Sequence, residues 1–457
     1  MVKYAKRIFF RILSCYKAKR KRKKKMELKS MKQLKAALVG AGNRGCVYAD
    51  YSLEYPEELQ IVAVVEVQEL RKTEAAMRYG IPATEAFSSL DEFLARNIEC
   101  DFVINATMDE MHYETAKKLI SAEYNMLLEK PIVPNREQLL ELQALAREKG
   151  VKVNVCHVLR YTPYYKRIKE LINAGEIGDI MTMELNEHVW IAHFIDSFIR
   201  GKWKSEKDCG SGFLLQKSCH DMDLICWLNN AAKPVKVSSF GSRSQFILKN
   251  APKGATQYCC DCPHNSTCLY SAQKIHLEYD SLPFQTWEGL RKPLDKITYE
   301  EKEDYLRWSD YGLCAYNSGG DISDRQSVTV EFDNGSLATF TMVGGTNRAG
   351  RYLHIIGTKG EIEGKIEDGK FVIRRFDRSE GKFEYVEEEI DVSKLVHNSV
   401  QYGGHGGGDY AIMYELVRYL NGKGVSVSIT NLDDSIASHL VVYAAEDSRK
   451  QERIVKL

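Results

Sequence analysis

Two groupings in this chain combine residue types and spacings that suit chemistry. The first is Gly40-Ala41-Gly42-Asn43-Arg44-Gly45, followed by Glu66, which stands about 20 residues past the last glycine. In such a loop the first glycine permits a tight turn, the second lets a pyrophosphate approach the backbone, and the third lets helix and strand pack closely. Free N–H groups at the start of the next helix attract phosphate. An acid at Glu66 holds both ribose hydroxyls and repels a 2′-phosphate, which favours NAD over NADP, although Arg71 and Lys72 stand nearby. The alternative for Glu66 is a solvated residue at a strand end. The second grouping is Cys259-Cys260-Asp261-Cys262-Pro263-His264-Asn265-Ser266-Thr267-Cys268. The spacing of Cys259 and Cys262 lets both thiolates reach one tetrahedral ion, and Cys268 is near enough for a third. Cys314 is the candidate fourth ligand, with His264 or Cys260 as substitutes, for a structural zinc. Reduced, packed cysteines or a disulfide are the alternatives.

These groups need elements to position them. Leu34 to Val39 reads as a short buried strand leading into the glycine loop and a helical stretch through Tyr51, and Leu59 to Val65 as a second strand ending at Glu66. Alternation continues: helix 89–96, strand 101–106, helix 111–122, strand 125–128, helix 135–149 and strand 152–156. Strands alternating with helices imply a doubly wound parallel sheet of Rossmann type, over residues 31–156. Beyond Cys156 come a helix over 162–174, an extended stretch 180–190 and a helix near 220–229. Strands follow at 326–332, 337–343, 351–357, 360–365 and 370–376, with turns at Asp333-Asn334-Gly335 and Asp368-Gly369. This predicts an α+β domain over 157–457 with an open, largely antiparallel sheet and a Cys-rich insertion near 245–316.

Length and charge bound the alternatives. The 457 residues, 44% hydrophobic and 28% charged, suffice for two or three domains with real cores and exclude a small disulfide-stapled scaffold. No apolar run is long enough to cross a membrane. The first 25 residues hold twelve Lys or Arg and no acid, so the remainder carries a formal charge of −11 against +1 for the whole chain. Nucleic-acid binding, which rests on neutralising phosphates, is not expected of so acidic a body. The basic opening, residues 1–30, is expected to be a disordered tail or an upstream start; an amphipathic helix on an anionic membrane surface is the alternative. Twelve cysteines without a secretion signal point to a reducing cytoplasm.

Several further features occur in a particular order: Asn105-Ala106-Thr107, His112, Glu129-Lys130-Pro131, Arg160-Tyr161 followed by Pro163, Gly175-Glu176-Ile177-Gly178, and His220 with Asp223 before Trp227. With the glycine loop and Glu66, this series resembles the glucose-fructose oxidoreductase and inositol dehydrogenase (Gfo/Idh/MocA) family over nearly everything from Lys35 onward. The resemblance implies an NAD-binding Rossmann domain, a C-terminal domain whose open sheet often mediates homo-oligomers, and hydride transfer at a secondary alcohol of a sugar or polyol. It places Lys130 near nicotinamide and substrate, with Glu129 orienting it and Thr107 and His112 lining the cofactor side; Pro131 is often cis in the family. A lysine at the carboxyl end of a strand, beside the crevice, is also well placed to hydrogen-bond a reacting oxygen.

One segment departs from the family pattern, which usually has an aspartate four residues before its catalytic histidine. Gln216 stands there, in Gln216-Lys217-Ser218-Cys219-His220. An amide orients a hydroxyl but does not take its proton, so that task shifts to His220, with Lys217 and Lys130 as electrostatic or relay groups. A capped histidine at a helix start is the alternative for His220. His157, Arg160, His193, Arg200, Trp203, Gln216 and Asp223 are further candidates for the substrate cleft, as is His405 in Gly403-Gly404-His405-Gly406-Gly407-Gly408-Asp409, a loop that could also be a plain connection. The leading expectation is an NAD-dependent oxidoreductase acting on a secondary alcohol of a sugar, sugar derivative or polyol. An NAD-retaining glycosidase that oxidises, eliminates and re-reduces is the second reading, motivated by the missing aspartate and by Lys217. A non-catalytic nucleotide-binding protein is the third.

Overall fold

A computed structural model describes residues 31–377, 379, 381–394 and 405–457. The basic N-terminal stretch and Gly403-Gly404 lie outside the described residues. The first sheet is built from β1 (Leu34–Val39), β2 (Leu59–Val65), β3 (Ala86–Phe87), β4 (Phe102–Asn105), β5 (Met126–Leu128) and β6 (Val153–Val155). Its order is β3-β2-β1-β4-β5-β6 and every pairing is parallel. Helices α1 (Asn43–Ala49), α2 (Glu69–Tyr79), α3 (Leu90–Arg96), α4 (His112–Ser121) and α5 (Arg136–Lys149) connect the strands. Covered on both faces, these strands are apolar runs rather than alternations: β4 and β5 are buried at every position. Local chemistry sets the helix ends. The Asn135 side chain accepts from the Gln138 N–H at 3.0 Å and starts α5, and Gly150, at φ +66°, closes it.

The second sheet has nine strands. They are β7 (Ile180–Trp190), β8 (Pro234–Ser242), β9 (Arg325–Phe332), β10 (Leu337–Thr346), β11 (Gly350–Gly357), β12 (Gly360–Lys365), β13 (Lys370–Phe376), β14 (Tyr385–Asp391) and β15 (Val455–Lys456), in the order β14-β13-β12-β11-β7-β10-β9-β8-β15. All neighbours are antiparallel except β7 and β10. Inward residues such as Leu185, Val330, Phe340 and Leu353 join one core with α6 (Pro163–Asn173), α7 (Cys219–Leu228) and α10 (Leu432–Gln451). Glu184, Ser327, Thr329 and Thr339 lie exposed on the opposite face. Helix α8 (Tyr299–Trp308) belongs to the insertion between β8 and β9. Helix α9 (Gly408–Leu420) returns to the first domain, where Ile412 and Leu416 join the core of Leu38 and Ile104.

The sheet is thus wider than the five strands read from the sequence, with β7 at its centre. Strand β14 escapes a propensity reading because it is rich in glutamate, a poor strand former. It is tied instead by cross-strand ion pairs: Lys370–Glu389 at 2.9 Å, Arg374–Glu387 at 2.7 Å and Arg375–Glu388 at 2.9 Å. Among the described residues no helix is long and apolar enough to cross a membrane.

Candidate active site

The strand order of the first sheet reverses between β1 and β4, where a crevice forms outside the carboxyl ends of the strands. The glycine loop leaves β1 at that point. Gly40 has φ +88°, and a Cβ there would meet the Ala106 carbonyl oxygen at 2.5 Å; a Cβ on Gly45 would meet the Gly40 oxygen at 2.1 Å. Gly42 faces open space, with no atom near an added Cβ, and no side chain caps the start of α1. Asn43 is exposed beside it. Glu66 is buried at the end of β2, accepting from the N–H groups of Ala41 and Gln68, each at 2.9 Å. It therefore braces the glycine loop from the ribose side. Arg71, two turns of chain further on, is neutralised by Glu288 of the insertion at 2.7 Å.

On the other wall, Thr107 and His112 follow β4. His112 is fully buried, with Nδ1 2.6 Å from the Pro131 carbonyl and Nε2 3.1 Å from the Thr107 carbonyl. It braces the loop that carries Lys130, and the Lys130-Pro131 peptide is cis. Glu129 accepts from Arg44 Nε at 2.9 Å, from the Tyr48 hydroxyl at 2.7 Å and from the Lys130 N–H at 2.6 Å. Burial alone would raise its pKa, but Arg44 and Lys130 outweigh burial and hold it low. Arg44 also grips Asp409 of α9 through two bonds, at 2.7 and 3.0 Å. The glycine loop, the lysine loop and the C-terminal domain are thereby fastened together.

Lys130 crosses between the domains: its Nζ donates to the Gln216 carbonyl at 2.8 Å. Burial opposes its charge, yet Cys219, Glu129 and Asp109 more than compensate and its pKa is raised, so it stays an ammonium. His220, at the start of the wholly buried α7, has an Nδ1 without a partner among the described residues. Burial first, then Lys130 and His405, push its pKa well below the ordinary histidine value, so the ring is neutral. The His405 ring lies 5.8 Å from it, its Nδ1 3.1 Å from the Asp409 carboxylate. The Gln216 side chain turns to the Ser211 carbonyl, and among the described residues its own Oε1 is buried and unpaired, an acceptor open to a donor.

Beside this cluster Lys217 joins a group whose other charged members, Arg351, Glu187 and Asp221, were not foreseen from the sequence. Arg351 of β11 lies directly across from Glu187 of β7 in the ladder and bonds both Glu187 and, at 2.8 Å, Asp221. Ser218 donates to Glu187 at 2.8 Å, and Lys217 Nζ lies 3.7 Å from it. Burial opposes the charge of both carboxyls. Arg351 and Lys217 outweigh it at Glu187, which is held low, whereas burial and the neighbouring Glu187 charge push Asp221 up to about 7. Burial lowers the Lys217 pKa, and the neighbouring His193 is pushed down to about 3, again chiefly by burial. One usable signal existed. In β7 the alternation turns Met183, Leu185, Glu187 and Val189 inward, and a glutamate at an inward register position marks a buried charge that needs a partner.

Among the other candidates His157 borders His220, and the rest hold different partners. Arg160 and Asp223 form a buried two-pronged ion pair, at 2.5 and 2.7 Å, between the turn after β6 and α7. His157, fully buried with neither ring nitrogen hydrogen-bonded among the described residues, sits between Asp223, 3.6 Å away, and the rings of His220 and His439. Trp203 packs against Phe198. Arg200 is remote from Lys130 in its bonding: it donates to the Leu313 carbonyl at 2.7 Å and the Tyr270 carbonyl at 2.5 Å, inside the Cys-rich insertion. The four cysteines Cys259, Cys262, Cys268 and Cys314 line one small enclosed cavity there.

Residues 34–157 match the family described as an oxidoreductase with an NAD-binding Rossmann fold, and residues 169–457 match the α/β C-terminal domain of the same family, Gfo/Idh/MocA. The chain belongs to the Gfo/Idh/MocA oxidoreductases. It is 26% identical over 331 residues to YteT of Bacillus subtilis, named as an oxidoreductase, an overlap of 69% of this chain and 72% of YteT. It is 26% identical over 210 residues to the NADP-linked scyllo-inositol 2-dehydrogenase IolW of the same organism, 46% of this chain and 56% of IolW; the chain thus spans little more than half of that relative. The WlbA dehydrogenase of Bordetella pertussis, solved with NADH and UDP-GlcNAcA, shares the fold at a TM-score of 0.63 and 15% identity, over 93% of this chain and 98% of that one. The relatives favour neither the glycosidase nor the non-catalytic alternative.

Proposed function

We propose that this oxidoreductase uses NAD to remove hydride from a secondary alcohol of a sugar, sugar derivative or polyol, with His220 as proton acceptor and Lys130 as the cation beside the reacting oxygen. The observation that carries this reading is the bond from Lys130 to Gln216 across the two domains, next to a buried, neutral His220 with a free ring nitrogen. NAD fits the crevice: Gly42 leaves its backbone open to a pyrophosphate, Gly40 and Gly45 let the loop and helix pack closely behind it, Glu66 suits a diol, and Glu288 offsets Arg71. When bound, the cofactor supplies the hydride acceptor.

The chain supplies the rest. His220 takes the hydroxyl proton while the Lys130 ammonium stabilises the developing alkoxide in a low-dielectric setting. Gln216 Oε1 accepts from a substrate hydroxyl. Glu187, Asp221, Arg351, Lys217, His193 and His405 offer the mixture of donors and acceptors that several hydroxyls on one ring require. The exposed face of the nine-stranded sheet is offered to a second copy of the chain, and the reduced cysteines suit a cytoplasmic setting.

The test is to supply NAD and a panel of sugars, polyols and chromogenic glycosides, following NADH absorbance and aglycone release together. NADH accumulation that is lost in His220→Ala supports the reading. Aglycone release without net NADH replaces it with transient oxidation and cleavage, and no redox change with any substrate contradicts both.

A further inference from the structure

The insertion between β8 and β9 is long for the core it owns. Among the described residues its cluster holds Trp287, Tyr305, Leu306, Tyr311, Ala272 and Cys259, and much of the remaining backbone is turns and short helices. So little buried apolar area calls for a staple. We propose that Cys259, Cys262, Cys268 and Cys314 bind one structural zinc ion that holds the insertion together.

The chain brings these residues together from three places. The Cys262 N–H bonds the Cys259 carbonyl at 3.2 Å, bending Cys259-Cys260-Asp261-Cys262 into a knuckle. Tyr258 bridges to Leu313, and the Cys314 N–H bonds the Gln257 carbonyl at 2.8 Å, which lays Cys314 alongside that knuckle. The Cys268 N–H bonds the His264 carbonyl at 2.8 Å and turns the third segment inward. All four thiols line the same small cavity, and among the described residues none is in a disulfide.

Donors also reach the sulfurs. The Tyr270 N–H donates to Cys268 Sγ at 3.4 Å, from two residues further along the chain. Arg200 Nη2 donates to Cys259 Sγ at 3.4 Å. Arg200 is fully buried and its other bonds go to carbonyls; among the described residues its Nη1 has no partner and no carboxylate stands within ion-pair distance of it, the buried Asp196 acting on it only from further away. A buried guanidinium in that position asks for an anion. Four cysteines that each release a proton on coordination give a tetrathiolate–zinc unit of charge −2, which supplies one. An all-sulfur set suits zinc, and nothing in a structural role calls for a redox metal. Among the described residues no three such side chains are yet drawn into a coordination shell; the ion closes the cavity around itself.

Full-length protein purified under reducing conditions without chelator is assayed by elemental analysis, then titrated with a mercurial in the presence of a zinc-indicator dye. The expected result is one zinc per chain, released as the thiols are blocked, and lost in Cys262→Ser and Cys268→Ser, which remain folded by circular dichroism. The titration of the unaltered chain stands even where a variant fails to fold. Absence of zinc before and after adding zinc salt, iron in its place, a disulfide among these cysteines by mass spectrometry, or zinc retained in both serine variants would each overturn the proposal.

Discussion

Replacing Glu66 by alanine should invert the cofactor preference. At ~4 Å and an effective dielectric near 20, a unit charge pair is worth about 4 kcal/mol. The crevice is open to water and salt on one side, so about half of that, ~2 kcal/mol, is the penalty Glu66 sets against a 2′-phosphate. Hydrogen bonds from ribose hydroxyls to a carboxylate contribute a further ~2 kcal/mol to NAD. The two effects act in the same direction on the ratio of affinities, which should shift by ~10³-fold toward NADP. Glu66 also accepts from the Ala41 and Gln68 N–H groups, so both affinities fall through loosening of the loop, and that loss cancels in the ratio. The assay is titration of NAD and NADP against wild type and variant at fixed ionic strength. Equal weakening of both, with an unchanged ratio, would refute the reasoning and leave Glu66 as a brace of the glycine loop alone.

Freeing Arg71 by Glu288→Gln should improve NADP binding by a smaller factor, ~3-fold, because the partner pair is partly exposed and worth under about 1 kcal/mol; the same titration reads it. Lys130→Met should lower kcat by ~10²–10⁴-fold with little change in the Kd for NAD, measured by fluorescence quenching. Because Asp221 is pushed up to about 7, the pH profile of kcat/KM should show a transition near there that Asp221→Asn removes. Arg160→Met leaves Asp223 buried without its partner, and denaturant titration should show a loss of ~3–5 kcal/mol. Burial and the nearby His157 push His439 down to about 3. The unfolded chain therefore binds the proton first, and the stability this residue contributes is lost as pH falls below the ordinary value of 6.5. His439→Gln should accordingly lose ~1 kcal/mol less than wild type between about pH 6.5 and 5.5.

Five strands of the first sheet were legible because buried parallel strands are apolar runs, a local signal that survives in one sequence; the two-residue β3 is too short to give it. The longest helix, α10, was not. Its buried positions include Ser435, Ser438, His439 and Ser448, so no clear apolar stripe betrays it. Helix α2 was missed for the opposite reason, since Ala75 is the one residue in it that is buried. Motif order named Lys130, Gln216 and His220, which the fold brings to one place, whereas Arg351 and Glu187 meet only through a cross-strand register separated by well over a hundred residues. Arg160, Asp223 and Arg200 have partners that the sequence does not reveal: the first two form a buried ion pair with each other, and the third bonds the insertion.

The central claim is that hydride leaves a carbinol carbon while His220 and Lys130 manage the proton. With an alcohol that proves reactive, the most direct test is a single turnover using substrate deuterated at that carbon, with the nicotinamide analysed by mass spectrometry. The expected result is one deuterium in the reduced cofactor, absent in Lys130→Met and in His220→Ala. Substrate consumption with an unlabelled, unreduced cofactor would contradict it.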